Sequence, residues 1–260
     1  MNGLTYFVYL RAHMIGVLRF RVDFLIGLAS SLLETALSVI FLIVVFSHVN
    51  ALSGVPFSDV LLMFAFSTLG RAIHLLFFDN LWVLGSRFIQ QGEFDRVLVR
   101  PRGLLFQVVA ERVNVQGVGQ VVVGVIAMTW ALTLCTQIVG VAGCLLIPLL
   151  VSASSAVFIL VHVCFASLSF WLVDSSGVMS AVFAVASFGQ YPLGIFPTVI
   201  SGFLLTVLPF AFTGYVPAGL LTGTLGPGWA IALVGVLLVM GCAASVLWQR
   251  GVASYTSTGS

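Results

Sequence analysis

This sequence predicts an all-α integral membrane protein, with about six transmembrane helices, an N-terminal interfacial helix and an outer re-entrant segment before the last span. Three features carry that expectation. Hydrophobic residues make up 60% of the 260 residues and charged residues only 7%, with a mean hydropathy of +1.19; soluble domains hold roughly 45–50% apolar and 25% charged residues. Apolar runs of spanning length recur along the chain, at the roughly 20 residues that a helix needs to cross a bilayer. Five of the ten arginines and four of the eight acids are gathered between Asp79 and Arg112. That leaves one sizeable polar segment for the aqueous phase, within a single transmembrane domain over 1–260.

The elements follow in order. Leu4 to Asp23 is broken by Arg11, His13, Arg19 and Arg21, so it does not span. Thr5, Tyr9, His13, Gly16, Arg19 and Asp23 recur at three- and four-residue intervals on one helical stripe. The segment reads as an interfacial helix whose arginines meet lipid headgroups. Spans are expected at Phe24 to Phe46, Val60 to Asp79 or a little beyond, Gln116 to Leu134, and about Val141 to Val173. The last of these exceeds the need of a bilayer, which implies tilt, a kink near Pro148 or a projecting end. Gly189, Tyr191, Pro192, Gly194 and Pro197 break Val178 to Pro197, which reads as an interfacial or cytoplasmic re-entry before a fifth span at Pro197 to Phe212. Thr213 to Gly228, Gly- and Pro-rich yet apolar, suits a re-entrant segment packed on protein. A sixth span, Trp229 to Trp248, ends at Arg250.

Charge orients these spans. With a cytoplasmic N-terminus, nine arginines fall inside and none falls in the outer loops Ser47–Asp59 and Thr136–Gly140. Both termini are then cytoplasmic. The chain contains no lysine, which excludes a Walker A phosphate loop, a Schiff-base lysine and a pyridoxal phosphate site on this chain. Cys135, Cys144, Cys164 and Cys242 form no CxxC pair, no metal-ligand spacing appears, and neither a GxSxG elbow nor HExxH occurs. No catalytic residue and no metal site is expected.

Two groups of residues carry chemistry. In Gly92-Glu93-Phe94-Asp95-Arg96-Val97-Leu98-Val99-Arg100-Pro101 an aromatic stands between two acids, ahead of an apolar run that stops at proline. The pattern suits a short surface helix whose Phe94 fills a partner's pocket while charges fix its orientation; a solvated connector is the alternative. Inside the membrane, Glu34, Arg71 and His74 need a protein or water environment, because a charge at mid-bilayer costs about 2.5–3.5 kcal/mol even on a lenient scale. Glu34 and Arg71 lie at similar depth, and Arg71 and His74 share a helix face. They read either as an ion pair that fixes packing or as polar groups on a substrate path.

The runs GEFDRVLVRPR (Gly92–Arg102), YPLGIFP (Tyr191–Pro197), LPFAFTGYVPAGLL (Leu208–Leu221) and YTSTGS (Tyr255–Ser260) resemble, in this order, the permease subunits of ABC-2 type exporters, the six-span branch often encoded as paired permeases beside one ATPase. The resemblance implies that residues 1–23 are a connecting helix and that the loop 80–115 holds a coupling helix. In that helix Gly92, Glu93, Phe94, Asp95, Arg96, Arg100 and Pro101 would meet a cytoplasmic ABC ATPase dimer. Tyr215 to Leu221 would belong to an outer hairpin. ATP and Mg would bind the partner ATPase and no cofactor this chain. A second permease, identical or homologous, would complete a pathway for an amphiphilic or drug-like substrate in a bacterial inner membrane, with lipid as the other partner and no nucleic acid. A secondary transporter or channel subunit that works without ATP is the rival reading.

Overall fold

The computed structural model describes residues 21–114, 116–135, 141–172 and 175–256. Most of the interfacial helix expected over Leu4–Asp23, the outer loop Thr136–Gly140 and the end of the YTSTGS run lie outside these residues. In chain order the helices are α1 (Arg21–His48), α2 (Phe57–Phe78), the short α3 (Phe94–Leu98) and α4 (Leu104–Ala110), α5 (Gln116–Leu134), α6 (Val141–Ser167), α7 (Ser176–Ala186), α8 (Thr198–Thr206), α9 (Tyr215–Thr222) and α10 (Gly228–Ser254). Five stretches are long and apolar enough to cross a membrane: Leu25–His48, Phe57–Ile89, Gln116–Leu134, Leu145–Phe170 and Gly228–Ser254. The all-α membrane fold is therefore observed.

Burial explains the arrangement. On α1 the large side chains Leu33, Leu37, Ile40, Phe41 and Val44 point outward, while Ser31 and Thr35 are buried. That is the reverse of a water-soluble helix and suits a hydrocarbon solvent. The Ser31 hydroxyl donates to the Gln116 carbonyl at 2.7 Å, which joins α1 to the start of α5. At the centre stands α2, with Val60, Leu61, Leu62, Ala65 and Phe66 wholly buried and with α5 and α6 packed along it. Pro148 sits inside α6 without ending it, and the exposed Trp171 follows its final turn, where an interfacial aromatic is expected.

The polar segment is mostly helical. Beyond Phe78 the chain winds on through a 3-10 turn, Asp79–Val83, and a π turn, Leu84–Ile89. The 33 residues Phe57–Ile89 rise about 50 Å at ~1.5 Å each, some 20 Å more than the ~30 Å hydrocarbon core. Gly92, at φ +72, reverses the chain, and α3 and α4 return along the projecting end. The Asn80 amide ties the two arms of this hairpin through the Val108 carbonyl. A second core fills it: Leu84, Phe88, Phe94, Val97 and Val108 pack with Val163 of α6 and Trp248 of α10.

The fifth crossing differs from the sequence expectation. Thr198–Thr206 has nine residues, about 13 Å of rise, and Pro209 separates it from the turn Phe210–Phe212. It is too short to span. In its place stands α7, which continues as a 3-10 turn through Gln190; Ser176–Gln190 is apolar but shorter than the five long stretches. It begins beside Asp79–Val83 and ends at Gly189, which lies against Gly214, itself close to the Met63 carbonyl near the other end of α2. No Cβ fits at Gly189, which faces the Phe210 carbonyl. The reading failed because Pro192, Gly194 and Pro197 were weighed as breakers of a membrane segment, whereas they follow its end. α8 and α9 then form the re-entrant segment before α10.

Candidate functional site

The hairpin is held by charges that neutralise one another. Arg87 Nε lies 2.8 Å from Glu93 Oε2, Arg87 Nη2 donates to Glu111 at 2.9 Å, and Arg96 lies 3.2 Å from Glu93. Glu93 and Arg96 belong to the run singled out in the sequence, whereas Arg87 and Glu111 lie outside it; their spacing across the turn is what folding supplies. Phe94, expected in a partner's pocket, has no exposed surface. It lies edge-on to Phe170 and Tyr255 at centroid distances of 5.3 and 5.0 Å, and Phe170 contacts Trp248 at 5.6 Å. Asp95 accepts a hydrogen bond from the Tyr255 hydroxyl at 3.0 Å. Burial first, and then the Asp95 carboxylate, push the Tyr255 phenol up to about 12. Phe94 thus anchors the hairpin to this chain's own α6 and α10. The exposed tip comprises Leu98 and Val99, the latter 82% exposed, bordered by Arg96, Arg100 and Pro101. Tyr255 and Phe170 are the partners that sequence reasoning missed.

Within the membrane the three ionisable residues do not meet as one group. His74 is buried and hydrogen-bonds His162 of α6, with the Phe183 ring stacked on it at 5.2 Å. Glu34 and Arg71 instead face a small polar cavity of about 50 Å³. No ion pair within 4 Å joins them among the described residues. Thr35 and Ser38 of α1, Ser67 and Thr68 of α2, Gln120 of α5, and Ser187 and Gln190 after α7 complete its polar wall, against Phe64 and Phe158. The volume holds a few waters at about 10–15 Å³ each. Gln120 is buried and its carbonyl oxygen has no protein partner, which suits a group that meets water or a ligand in the cavity. Gln120 and Gln190 were visible only as isolated amides in apolar runs, the one signal available beforehand. Chemically the cavity offers one cation, one anion, amides and hydroxyls, the means to hydrate a polar group within an apolar layer. Among the described residues no three His, Cys, Asp or Glu side chains lie close enough to share a metal ion.

A family model described as ABC-2 family transporter protein matches residues 32–259. No curated protein and no solved structure matches the chain. The match runs from the middle of α1 to the C-terminus and takes in the cavity, the hairpin and the re-entrant helices. By that match, the chain belongs to the ABC-2 family of transporter proteins, as a membrane permease of ABC-type transport.

Proposed function

We propose that the chain is the permease subunit of an ATP-driven exporter, powered by a separate ABC ATPase dimer that docks on the hairpin. The observation that carries this reading is the hairpin itself. It continues the 33-residue helical stretch Phe57–Ile89, is fastened at its base to α6 and α10, and exposes an apolar tip at Leu98 and Val99. A lever of that form transmits force from an aqueous partner to spans. Glu93, Asp95 and Arg96 keep the helix in shape, Gly92 sets its angle, and Leu98 and Val99 enter the partner with Arg100 and Pro101 at the rim. The one-sided arginines support a cytoplasmic hairpin and cytoplasmic termini in a bacterial inner membrane. The Glu34–Arg71 cavity opens beside the exposed face of Glu34, so a second permease, identical or homologous, would complete the pathway for an amphiphilic or drug-like substrate.

Co-purification tests docking. Val99→Asp places a charge in the contact and should lower recovery of the ATPase by at least about tenfold, since a disrupted anchor costs about 2 kcal/mol or more. The melting midpoint of the permease should not change, because Val99 touches little of its own chain. Undiminished recovery would refute docking at the tip. Efflux driven by an ion gradient with no ATPase present would instead favour the secondary transporter.

A further inference from the structure

Glu34 and Arg71 bring opposite charges to one cavity without pairing in it. Among the described residues the Arg71 guanidinium has no ion pair and no hydrogen bond, and none reaches the Glu34 carboxylate, since Ser38 donates to the Glu34 backbone carbonyl instead. Gln120, a third wall, is buried with its carbonyl oxygen unmatched. A guanidinium left this way inside an apolar layer is costly until an anion or water meets it. The walls beside it are polar, with Ser67 and Thr68 on α2 and Gln190 after α7. Glu34 itself is exposed and stands at the mouth. Leu37 and Phe41, at i+3 and i+7 from Glu34 along α1, share its face and are exposed as well. An apolar track therefore leads to the charged mouth.

We propose that this cavity binds the head group of an amphiphile that carries an ammonium and a carboxylate on one carbon, with the carboxylate on Arg71, the ammonium on Glu34 and the tail along Leu37 and Phe41. The proposal rests on the reading of the chain as a permease for an amphiphile and gives that substrate a chemical class. Charge selects the class. A simple anion would meet Arg71 but press against the Glu34 carboxylate, and a simple cation would do the reverse. A zwitterion satisfies both and enters the apolar layer with no net charge. The guanidinium fork fits a carboxylate through two parallel hydrogen bonds, and the Gln120 carbonyl oxygen is a further acceptor for the ammonium. Size narrows the class. A cavity of about 50 Å³ holds roughly three to five waters, which is the bulk of an amino-acid head group; a phosphodiester joined to a choline is several times larger.

The test is binding to the purified full-length permease in detergent, with no ATPase and no ATP. Its failure leaves the docked-ATPase reading standing, and failure of docking leaves this binding measurement unaffected. Calorimetry compares α-aminooctanoic acid, octanoic acid and octylamine, which share a chain length and differ in head charge. The amino acid should show saturable binding at least about tenfold tighter than either, the order of one charge-assisted hydrogen bond. Glu34→Gln should erase that preference by weakening the amino acid and strengthening octanoic acid, while the ligand-free melting midpoint stays the same because Glu34 is exposed. Arg71→Gln should weaken the amino acid and octanoic acid together. A pair that served packing alone would move all three ligands alike or none. Three results would each overturn the proposal: equal affinity for the three probes, no saturable binding of the amino acid, or a preference that survives Glu34→Gln.

Discussion

Phe94 governs how firmly the hairpin is joined to the spans, because its ring touches both Phe170, just past α6, and Tyr255, just past α10. Truncation of a fully buried aromatic costs about 3–5 kcal/mol. Phe94→Ala should therefore lower unfolding stability in detergent by that order, and Tyr255→Phe, which loses only the bond to Asp95, by about 1 kcal/mol. Equal stability of Phe94→Ala and wild type would remove the anchor. The phenol adds a pH signature. Its pKa rises on folding from about 10 to about 12, so the fold favours the neutral form. That stabilisation is complete below about pH 10 and lost as the pH climbs through about 12. Ultraviolet titration should show a late phenolate step that loses one phenol's worth of absorbance in Tyr255→Phe. Glu34 and Arg71, which line one polar cavity without an ion pair, should couple only weakly. A double-mutant cycle with Glu34→Gln and Arg71→Gln should give a coupling below about 1 kcal/mol, and several kcal/mol would mean a locked pair.

The fifth crossing is the element where local pattern and folded chain diverge. Single cysteines in a background lacking the native ones should report the sides directly. Position 195, at the half-exposed Ile195, should label from the same side as position 53. Position 177, where Gly177 has open space around it, should label with position 92. Labelling of 195 together with 92 would restore the crossing at Pro197–Phe212. The long spans were legible in the sequence because each is an unbroken apolar run, and a bilayer asks little more of a helix. α7 was obscured because it is short and its stop signals, Pro192 and Pro197, lie just past its end. The buried role of Phe94 was hidden for a different reason. Between Glu93 and Asp95 it reads as a surface residue, and the rings that cover it, Phe170 and Tyr255, come from far along the chain.

Across the whole molecule, polar chemistry is placed at two levels. One is the cavity of Glu34, Arg71, Gln120 and Gln190 between the spans, and the other is the ion-paired hairpin outside them. The helical stretch Phe57–Ile89 runs through both, from Ser67 and Arg71 at the cavity to Arg87 at the hairpin. The class of the protein and its polar positions could be read from composition and spacing. The cavity could not, since its walls come from five helices whose packing no local pattern encodes. The connection of α2 to the hairpin through the turns Asp79–Ile89 makes the central claim mechanical: a partner that moves the tip moves the cavity. Site-directed cross-linking in native membranes tests that claim most directly. A single cysteine at position 99 should cross-link to the co-expressed ATPase, with a yield that changes when ATP is added, while one at position 53 should not cross-link. No cross-link at 99, or equal yields at 99 and 53, would contradict it.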